Sequence, residues 1–445
     1  MKKLTALTAS FLLILTLVFS LSSCLGTFVD ILTPDLGEEG EKENDNGKDE
    51  TEKEDEKTPS GSVNTGDQSS GDNEGGEGEG EGEGEISEEK APEFLPGYDA
   101  SIEITHPSKA ILSVVSIVSS FEVNYGSQGS VGSGVIYKLN KETGDAYIIT
   151  NYHVVYNRYA ITKGGISTDI GLYVYGMELS DYKIPATFVG GSLTQDLAVL
   201  KVEGSEVLKN SYARAADLGD SDLVTVMDKV IAVGNPEGFG ISVTTGIVSV
   251  DSETLEMTGA DAQTGLSLRV IRVDAAINEG NSGGGLFDEG GNLIGIVNAK
   301  RTGSDVDNIA YAIPISYAKN FAENILYYCG EDNTTPYKCL LGVTVTAKVM
   351  GLAPDPDTGK LVKEELVEVS ELTDTSVFSG KLLEGDVLLS ITIDGVKKDI
   401  TRMHHLIDHV LTAREGSTVA LEIERDGTVV TETVTVPESA ITAVN

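Results

Sequence analysis

A chain of 445 residues exceeds what one hydrophobic core usually organises, so two or more domains joined by linkers are expected. Lys and Arg total 32 against 71 Asp and Glu, a formal net charge of -39; a surface that negative repels phosphate backbones, which excludes nucleic acid as a partner. The three cysteines, Cys24, Cys329 and Cys339, are too few for a disulfide framework and lack the paired spacing of a zinc site, so no metal and no cofactor is expected.

The chain opens on Lys2 and Lys3, runs apolar from Phe11 to Leu21 and meets small residues ahead of Cys24, the layout of an export signal. Leu21-Ser22-Ser23-Cys24 resembles a bacterial lipobox. The resemblance implies that residues 1–23 are cut away and that Cys24 carries a lipid, anchoring the protein to the cell membrane outside the cytoplasm. An ordinary signal peptide cut elsewhere and a short uncleaved anchor remain alternatives, and both also export the rest. In that compartment Cys329 and Cys339, ten positions apart, are close enough to bridge.

From Pro34 to Gly97 the composition is Gly, Glu, Asp, Ser and Lys with few apolar residues, and Gly alternates with Glu from Gly76 to Glu85. No core can form from such a stretch, and like charges at every second position keep it extended. Residues 24–97 are therefore read as a disordered acidic tether. A calcium site there would need spaced oxygen ligands and a turn glycine, which are missing.

After Tyr98 the texture changes to short β-branched and apolar runs: Val131 to Leu139, Ala146 to Thr150, Leu197 to Val202, Val230 to Val233, Val243 to Val250 and Leu293 to Ala299. Closely spaced strands without long helical patterns between them predict a sandwich or barrel. The first clear helix, Ile315 to Tyr328, is expected to close this domain, residues 98–332. A second unit, 333–445, is predicted to have strands at Leu341 to Val349, Leu366 to Leu372, Val387 to Ile393, Thr418 to Arg425 and Thr428 to Val436, with a helix from Arg402 to Leu411. Asp426-Gly427 is a good hairpin turn between the last two strands.

The strongest chemical signal is Gly280-Asn281-Ser282-Gly283-Gly284. Glycines around a serine let the backbone aim converging N–H groups at one point, as an acyl-transfer oxyanion requires; Gly280, Asn281 and Ser282 are the candidate loop, with Gly280 and Ser282 as donors. A serine hydroxyl is a weak nucleophile without a neighbouring base. Of five histidines, His404, His405 and His409 belong to the second unit's helix and His106 precedes the first strong strand, which leaves His153, after the strand Ala146 to Thr150. Asp196 opens the strand to Val202, where a partly buried carboxylate needs a partner. The order His153, Asp196, Ser282 is that of the chymotrypsin architecture and not of subtilisins or α/β-hydrolases. Singly, these residues could be a strand-end histidine, a turn aspartate and a mere glycine loop.

These residues, with Thr150-Asn151-Tyr152-His153-Val154-Val155, Asp196 to Lys201, Gly234-Asn235-Pro236, Thr245 to Ser249 and Asp274 to Asn278, resemble proteases of the HtrA type over roughly Ser108 to Val436. The resemblance implies a mostly β fold, a chymotrypsin-like double β-barrel with the active site between the barrels, attack by Ser282 and proton transfer through His153. It implies no cofactor and a homotrimer. Asn281 stands where trypsin-like enzymes carry the aspartate that pairs with a newly cut amino terminus, and an amide cannot form that ion pair; activation by N-terminal cleavage is not expected. Ser252 to Ser267 is read as the movable activation loop. Ile277, Asn298, Ala299 and Lys300 are assigned to the primary specificity pocket. Glu279, Gly285 and Lys300 depart from the family's pattern; Lys300, if it points into the pocket, favours an acidic or polar substrate side chain over a Val-like one.

Leu340-Leu341-Gly342-Val343 resembles the carboxylate-binding loop of PDZ domains, and Leu383 to Leu388 their turn and strand. The resemblance implies that Leu341, Gly342 and Val343 hold a peptide's terminal carboxylate, with Leu406 and Val410 lining its side-chain pocket. His404 and His405, successive on a helix, diverge by about 100° and are read with His409 as solvated rather than as a metal site. The expected function is an extracytoplasmic endopeptidase acting on unfolded or C-terminally exposed polypeptides, with PDZ recognition or gating. A regulatory protease for one partner, and a catalytically weak chaperone or peptide-binding module, are the rivals.

Overall fold

The computed structural model describes residues 104–444, apart from 179, 239, 299–308 and 357. The export signal, Cys24, the acidic tether, Ala299 and Lys300 lie outside the described residues.

The short apolar runs form two closed barrels. Strands β1 (Val114–Val123), β2 (Gly126–Asn140), β3 (Asp145–Thr150), β4 (Asp169–Val174), β5 (Ile184–Ser192) and β6 (Leu197–Val202) close the first in the order β1-β2-β3-β6-β5-β4. Strands β7 (Lys229–Gly234), β8 (Ser242–Thr258), β9 (Gly265–Val273), β10 (Gly285–Asp288), β11 (Leu293–Asn298) and β12 (Ala310–Pro314) close the second in the order β10-β11-β12-β9-β8-β7. Closure removes the sheet edges. Each barrel fills its interior with aliphatic side chains, the first around Ile117, Ile148 and Leu200, the second around Val248, Ile271 and Val297. The expected double barrel stands.

Two short helices, α1 (Tyr152–Val155) and α2 (Glu206–Asn210), lie on the first barrel, and α3 (Ile315–Tyr328) spans the residues its periodicity predicts. Ile315, Ala318, Phe321, Ala322 and Ile325 on one face of α3 are buried in a cluster shared by both barrels, with Ile149, Val199, Phe287 and Ile296. Burying each large side chain there is worth about 1.5–3 kcal/mol, so α3 cements one barrel to the other and fixes the cleft between them.

The segment Ser252 to Ser267 is mostly strand, contrary to the sequence expectation of a loop; only its tip, residues 259–264, lies outside β8 and β9. It belongs to a long hairpin in which Thr258 pairs with Gly265 and Leu255 with Leu268. Leu255 and Met257 pack against Leu266, Leu268 and Val270, so its alternation of apolar and polar residues outweighs its Gly and Thr content.

After α3 come β13 (Tyr337–Cys339), β14 (Val343–Pro354), β15 (Leu361–Leu372), β16 (Val387–Ile393), β17 (Val396–Asp399), α4 (Met403–Val410), β18 (Thr418–Arg425), β19 (Thr428–Thr435) and β20 (Ile441–Ala443). The sheet runs β14-β15-β16-β18-β19, with β17 on β16, around Val367, Phe378, Ile391 and Leu421. Asp426 and Gly427 both have positive φ, 51° and 73°, the signature of the hairpin turn expected there. β13 pairs with β20, bringing Val444 back into the cluster under α3.

Cys329 and Cys339 are both free, so the proposed bridge is not made. Burial pushes the Cys329 thiol up to about 12 and the Cys339 thiol up to about 11, which leaves little thiolate at neutral pH. In a Cys24→Ser variant, alkylation by iodoacetamide at pH 7.5 should run roughly 10²-fold slower than for free cysteine and recover in denaturant; rapid native labelling would contradict this burial.

Candidate active site

β3 ends at Thr150, and Asn151, in an extended conformation, turns the chain into α1. Val154 and Val155 anchor that turn in the first barrel's core, which leaves His153 half-buried at the rim. Asp196 closes the turn between β5 and β6 with φ of 49°, a left-handed conformation that a non-glycine residue keeps only when its surroundings hold it.

The holding groups are visible. His153 Nδ1 lies 2.8 Å from Asp196 Oδ2 and 3.0 Å from Oδ1, and the His153 backbone N–H donates to Oδ1 at 3.1 Å. Asn298 Nδ2 donates to Oδ2 at 2.9 Å, and Asn151 Nδ2 donates to the Asp196 carbonyl at 2.9 Å. Asp196 is 2% exposed, so these donors offset the cost of burying its carboxylate. A carboxylate facing Nδ1 requires that nitrogen to carry the proton, which leaves the Nε2 lone pair free to accept another.

The serine loop is pinned from both barrels. Ser133 on β2 donates from its backbone N–H to the Ser282 carbonyl at 2.8 Å and from Oγ to the Gly280 carbonyl at 2.7 Å, while its Oγ accepts the Asn235 N–H at 2.8 Å. Gly283 N–H donates to Val297 at 2.9 Å, and Asn281 N–H donates to Asn278 at 3.1 Å. Among the described residues nothing accepts the Gly280 or Ser282 N–H, so these two remain for an oxyanion and Asn281 does not contribute a third. Gly283 has φ of 84°, and a Cβ there would lie 2.2 Å from the Ser133 carbonyl oxygen, 2.3 Å from Thr150 Oγ1 and 3.1 Å from Asn151 N. Ser282 therefore sits against the strand end that leads into His153. Its Oγ makes no hydrogen bond to a described residue, so the serine and histidine are not hydrogen-bonded in this structure.

Beside the loop a cleft of ≈ 800 Å³ opens between the barrels, lined by Ser116, Val131 and Tyr173 from the first and by Asn235, Ile241 and Asn278 from the second. Of the residues assigned to the specificity pocket, Ile277 is half-buried against the second barrel's core, and Asn298 is turned to Asp196 instead. The sequence reading missed Ser133, Asn151 and this role of Asn298. Their signal is only that polar side chains within apolar strands must find partners once buried.

In the C-terminal unit, Leu341, Gly342, Val343, Leu406 and Val410 do line one groove, of ≈ 480 Å³, between β14 and α4. β14 is an edge strand. Tyr317 of α3 also reaches this groove, and its hydroxyl donates to Gln195 Oε1, one residue before Asp196.

The histidines of α4 are not solvated as expected. His404 and His405 are each 8% exposed, with ring centroids 4.6 Å apart, while His409 Nε2 donates to the Val396 carbonyl at 3.1 Å. The face of α4 that carries His404, His405 and Asp408 is covered by the second barrel: Arg269 on β9 reaches Asp408 at 2.5 Å and Lys398 reaches Asp222 at 2.6 Å. Burial, with Arg269, Arg402 and Lys398 nearby, lowers both rings, His405 to about 4 and His404 further below the imidazole range.

An imidazole oriented by a buried carboxylate, next to a serine on a glycine turn with two open N–H groups between two barrels, defines the trypsin-like class of serine peptidase. Residues 132–296 match the trypsin-like peptidase domain family. The chain is similar to the serine protease Do-like HtrA of Bacillus subtilis (strain 168), with 39% identity over 210 residues, 47% of this chain and 42% of that protein. It is 31% identical over 309 residues to the serine protease Do-like HtrA of Lactobacillus helveticus, 67% of this chain and 66% of that one. To the periplasmic serine endoprotease DegP of Escherichia coli (strain K12) it is 31% identical over 302 residues, 67% and 55% respectively. This chain thus spans less than half the length of the first of these relatives. Residues 132–296 are thus a trypsin-like serine peptidase domain, similar to those of HtrA-type proteases.

Proposed function

We propose that the chain cleaves unfolded or C-terminally exposed polypeptides outside the cytoplasm, with Ser282 as nucleophile, His153 as general base and Asp196 as the group that orients it. The observation that carries this reading is the His153–Asp196 pair, fixed by Asn298 and Asn151 beside the pinned serine loop. As Ser282 Oγ attacks the scissile carbonyl carbon, His153 Nε2 takes its proton. The carbonyl oxygen gains the charge and meets the Gly280 and Ser282 N–H groups. His153 then protonates the leaving amine, and a water, activated by the same base, hydrolyses the acyl ester.

The same reading gives Cys24 a lipid, residues 24–97 the role of tether, and 333–445 that of a PDZ domain, within a homotrimer. A substrate C-terminus would add to the free edge of β14, its carboxylate on the Leu341 to Val343 loop. Gating is favoured by Tyr317, which touches both that groove and the residue before Asp196.

The test is digestion of β-casein by the full chain, with and without peptides carrying an apolar C-terminal residue. Cleavage should fall by at least about 10⁴-fold in Ser282→Ala, and peptide should raise the wild-type rate. Undiminished cleavage by Ser282→Ala would remove Ser282 from the mechanism, and absence of cleavage under both conditions would favour a binding module.

A further inference from the structure

Where α4 meets the second barrel, three potential metal ligands converge. Asp222, in the turn Ser221–Leu223, His404 and His405 each offer one ligand atom, and these lie within 4.8 Å of one another. His404 Nε2 is 3.9 Å from Asp222 Oδ1. Asp222 Oδ1 and His405 Nε2 are both buried and have no hydrogen-bond partner, the condition a native interior ordinarily avoids. The second atom of each group is occupied: Asp222 Oδ2 faces Lys398 Nζ at 2.6 Å, and His405 Nδ1 lies 3.4 Å from Thr401 Oγ1. A ligating imidazole commonly donates its other N–H in this way, which fixes the tautomer that presents the lone pair.

We propose that Asp222, His404 and His405 bind a divalent transition metal, zinc being the best match, and that this ion clamps α4 to the peptidase barrel. Two imidazoles and one carboxylate form a donor set typical of zinc. At bond lengths of about 2.0–2.2 Å, tetrahedral ligand atoms stand roughly 3.4 Å apart, so a trio within 4.8 Å needs to close by up to about 1.4 Å. Neighbouring cations do not bar the ion, since each faces a carboxylate: Arg269 reaches Asp408, Arg402 reaches Asp251 at 2.9 Å and Glu365 at 3.0 Å, and Lys398 reaches Asp222 itself. The two histidines come from α4 and the aspartate from the peptidase side, so the ion would join parts of the chain about 180 residues apart.

The experiment is equilibrium dialysis of the full chain, purified without a histidine tag, against zinc, with metal content measured by elemental analysis and melting temperature recorded at each concentration. One zinc per chain and a melting temperature that rises with zinc are expected. Affinity should weaken at least about 10-fold in Asp222→Asn and His405→Gln and stay unchanged in His409→Ala. Cobalt in place of zinc should give the visible absorption of a four-coordinate site in the wild type only, a readout that needs no peptidase activity. If a histidine variant loses its circular dichroism, the near-isosteric Asp222→Asn decides. Absence of saturable binding by the wild type, or equal binding in Asp222→Asn and His405→Gln, would overturn the proposal.

Discussion

Gly283→Ala is expected to lower kcat/KM for casein peptides by at least about 10²-fold while leaving a folded protein. A left-handed conformation costs an L-residue roughly 1–2 kcal/mol, and here the added methyl would also lie 2.2 Å from the Ser133 carbonyl oxygen and 2.3 Å from Thr150 Oγ1. Neither neighbour can yield cheaply, because Thr150 Oγ1 donates to that same carbonyl at 2.7 Å and Ser133 N–H holds the Ser282 carbonyl. The serine loop must move instead, and a displacement near 1 Å at a reacting group costs about 10²-fold. Gly265→Ala, where a methyl meets nothing within 4 Å, is the control and should retain wild-type activity. If Gly283→Ala were equally active, the serine loop would not be held as tightly as these contacts require.

Asn298 supplies the second large effect. Its amide donates to the same Asp196 oxygen that faces His153, so it acts as a positioning residue through the carboxylate. A hydrogen bond to a charged group is worth about 1.5–3 kcal/mol, which corresponds to roughly 10- to 10²-fold in kcat for Asn298→Leu, with KM little changed. Asn298→Asp should be worse and differently pH-dependent. Two carboxylates within hydrogen-bond reach cannot both ionise freely, so the pair retains a proton to higher pH. Activity of Asn298→Asp should therefore be lost as pH falls through that raised value and recover in part above it, whereas Asn298→Leu should show no such added acid limb. Identical pH profiles for wild type and Asn298→Asp would mean that Asn298 does not act through Asp196.

Much of the fold was legible along the chain. β6, β16, β18 and α3 occupy the residues that local pattern predicts, because a buried strand or an amphipathic helix writes its period into adjacent positions. The candidate site was legible for a related reason: His153, Asp196 and Ser282 each lie at a strand end or turn with recognisable chemistry, in an order that few architectures share. The segment Ser252 to Ser267 was misread because its two glycines and its threonines suggested a loop, while the partners that make it a hairpin, Leu255 and Met257 against Leu266 and Leu268, meet only across strands.

Other features could be decided only in three dimensions. Asn298 read as a pocket wall by its position at the end of β11, yet its amide is taken by Asp196, about 100 residues earlier in the chain. Helical geometry turns His404 and His405 about 100° apart, which argued for solvent; the second barrel covers that end of α4 and buries both rings next to Asp222. Ser133 left no mark in a glycine-rich strand, although it ties the serine loop to both barrels. Local pattern determines which elements form and which faces are apolar, because those depend on neighbours in sequence. The partner that satisfies a buried polar atom comes from wherever the closed barrels bring another strand, and that only the packed structure determines.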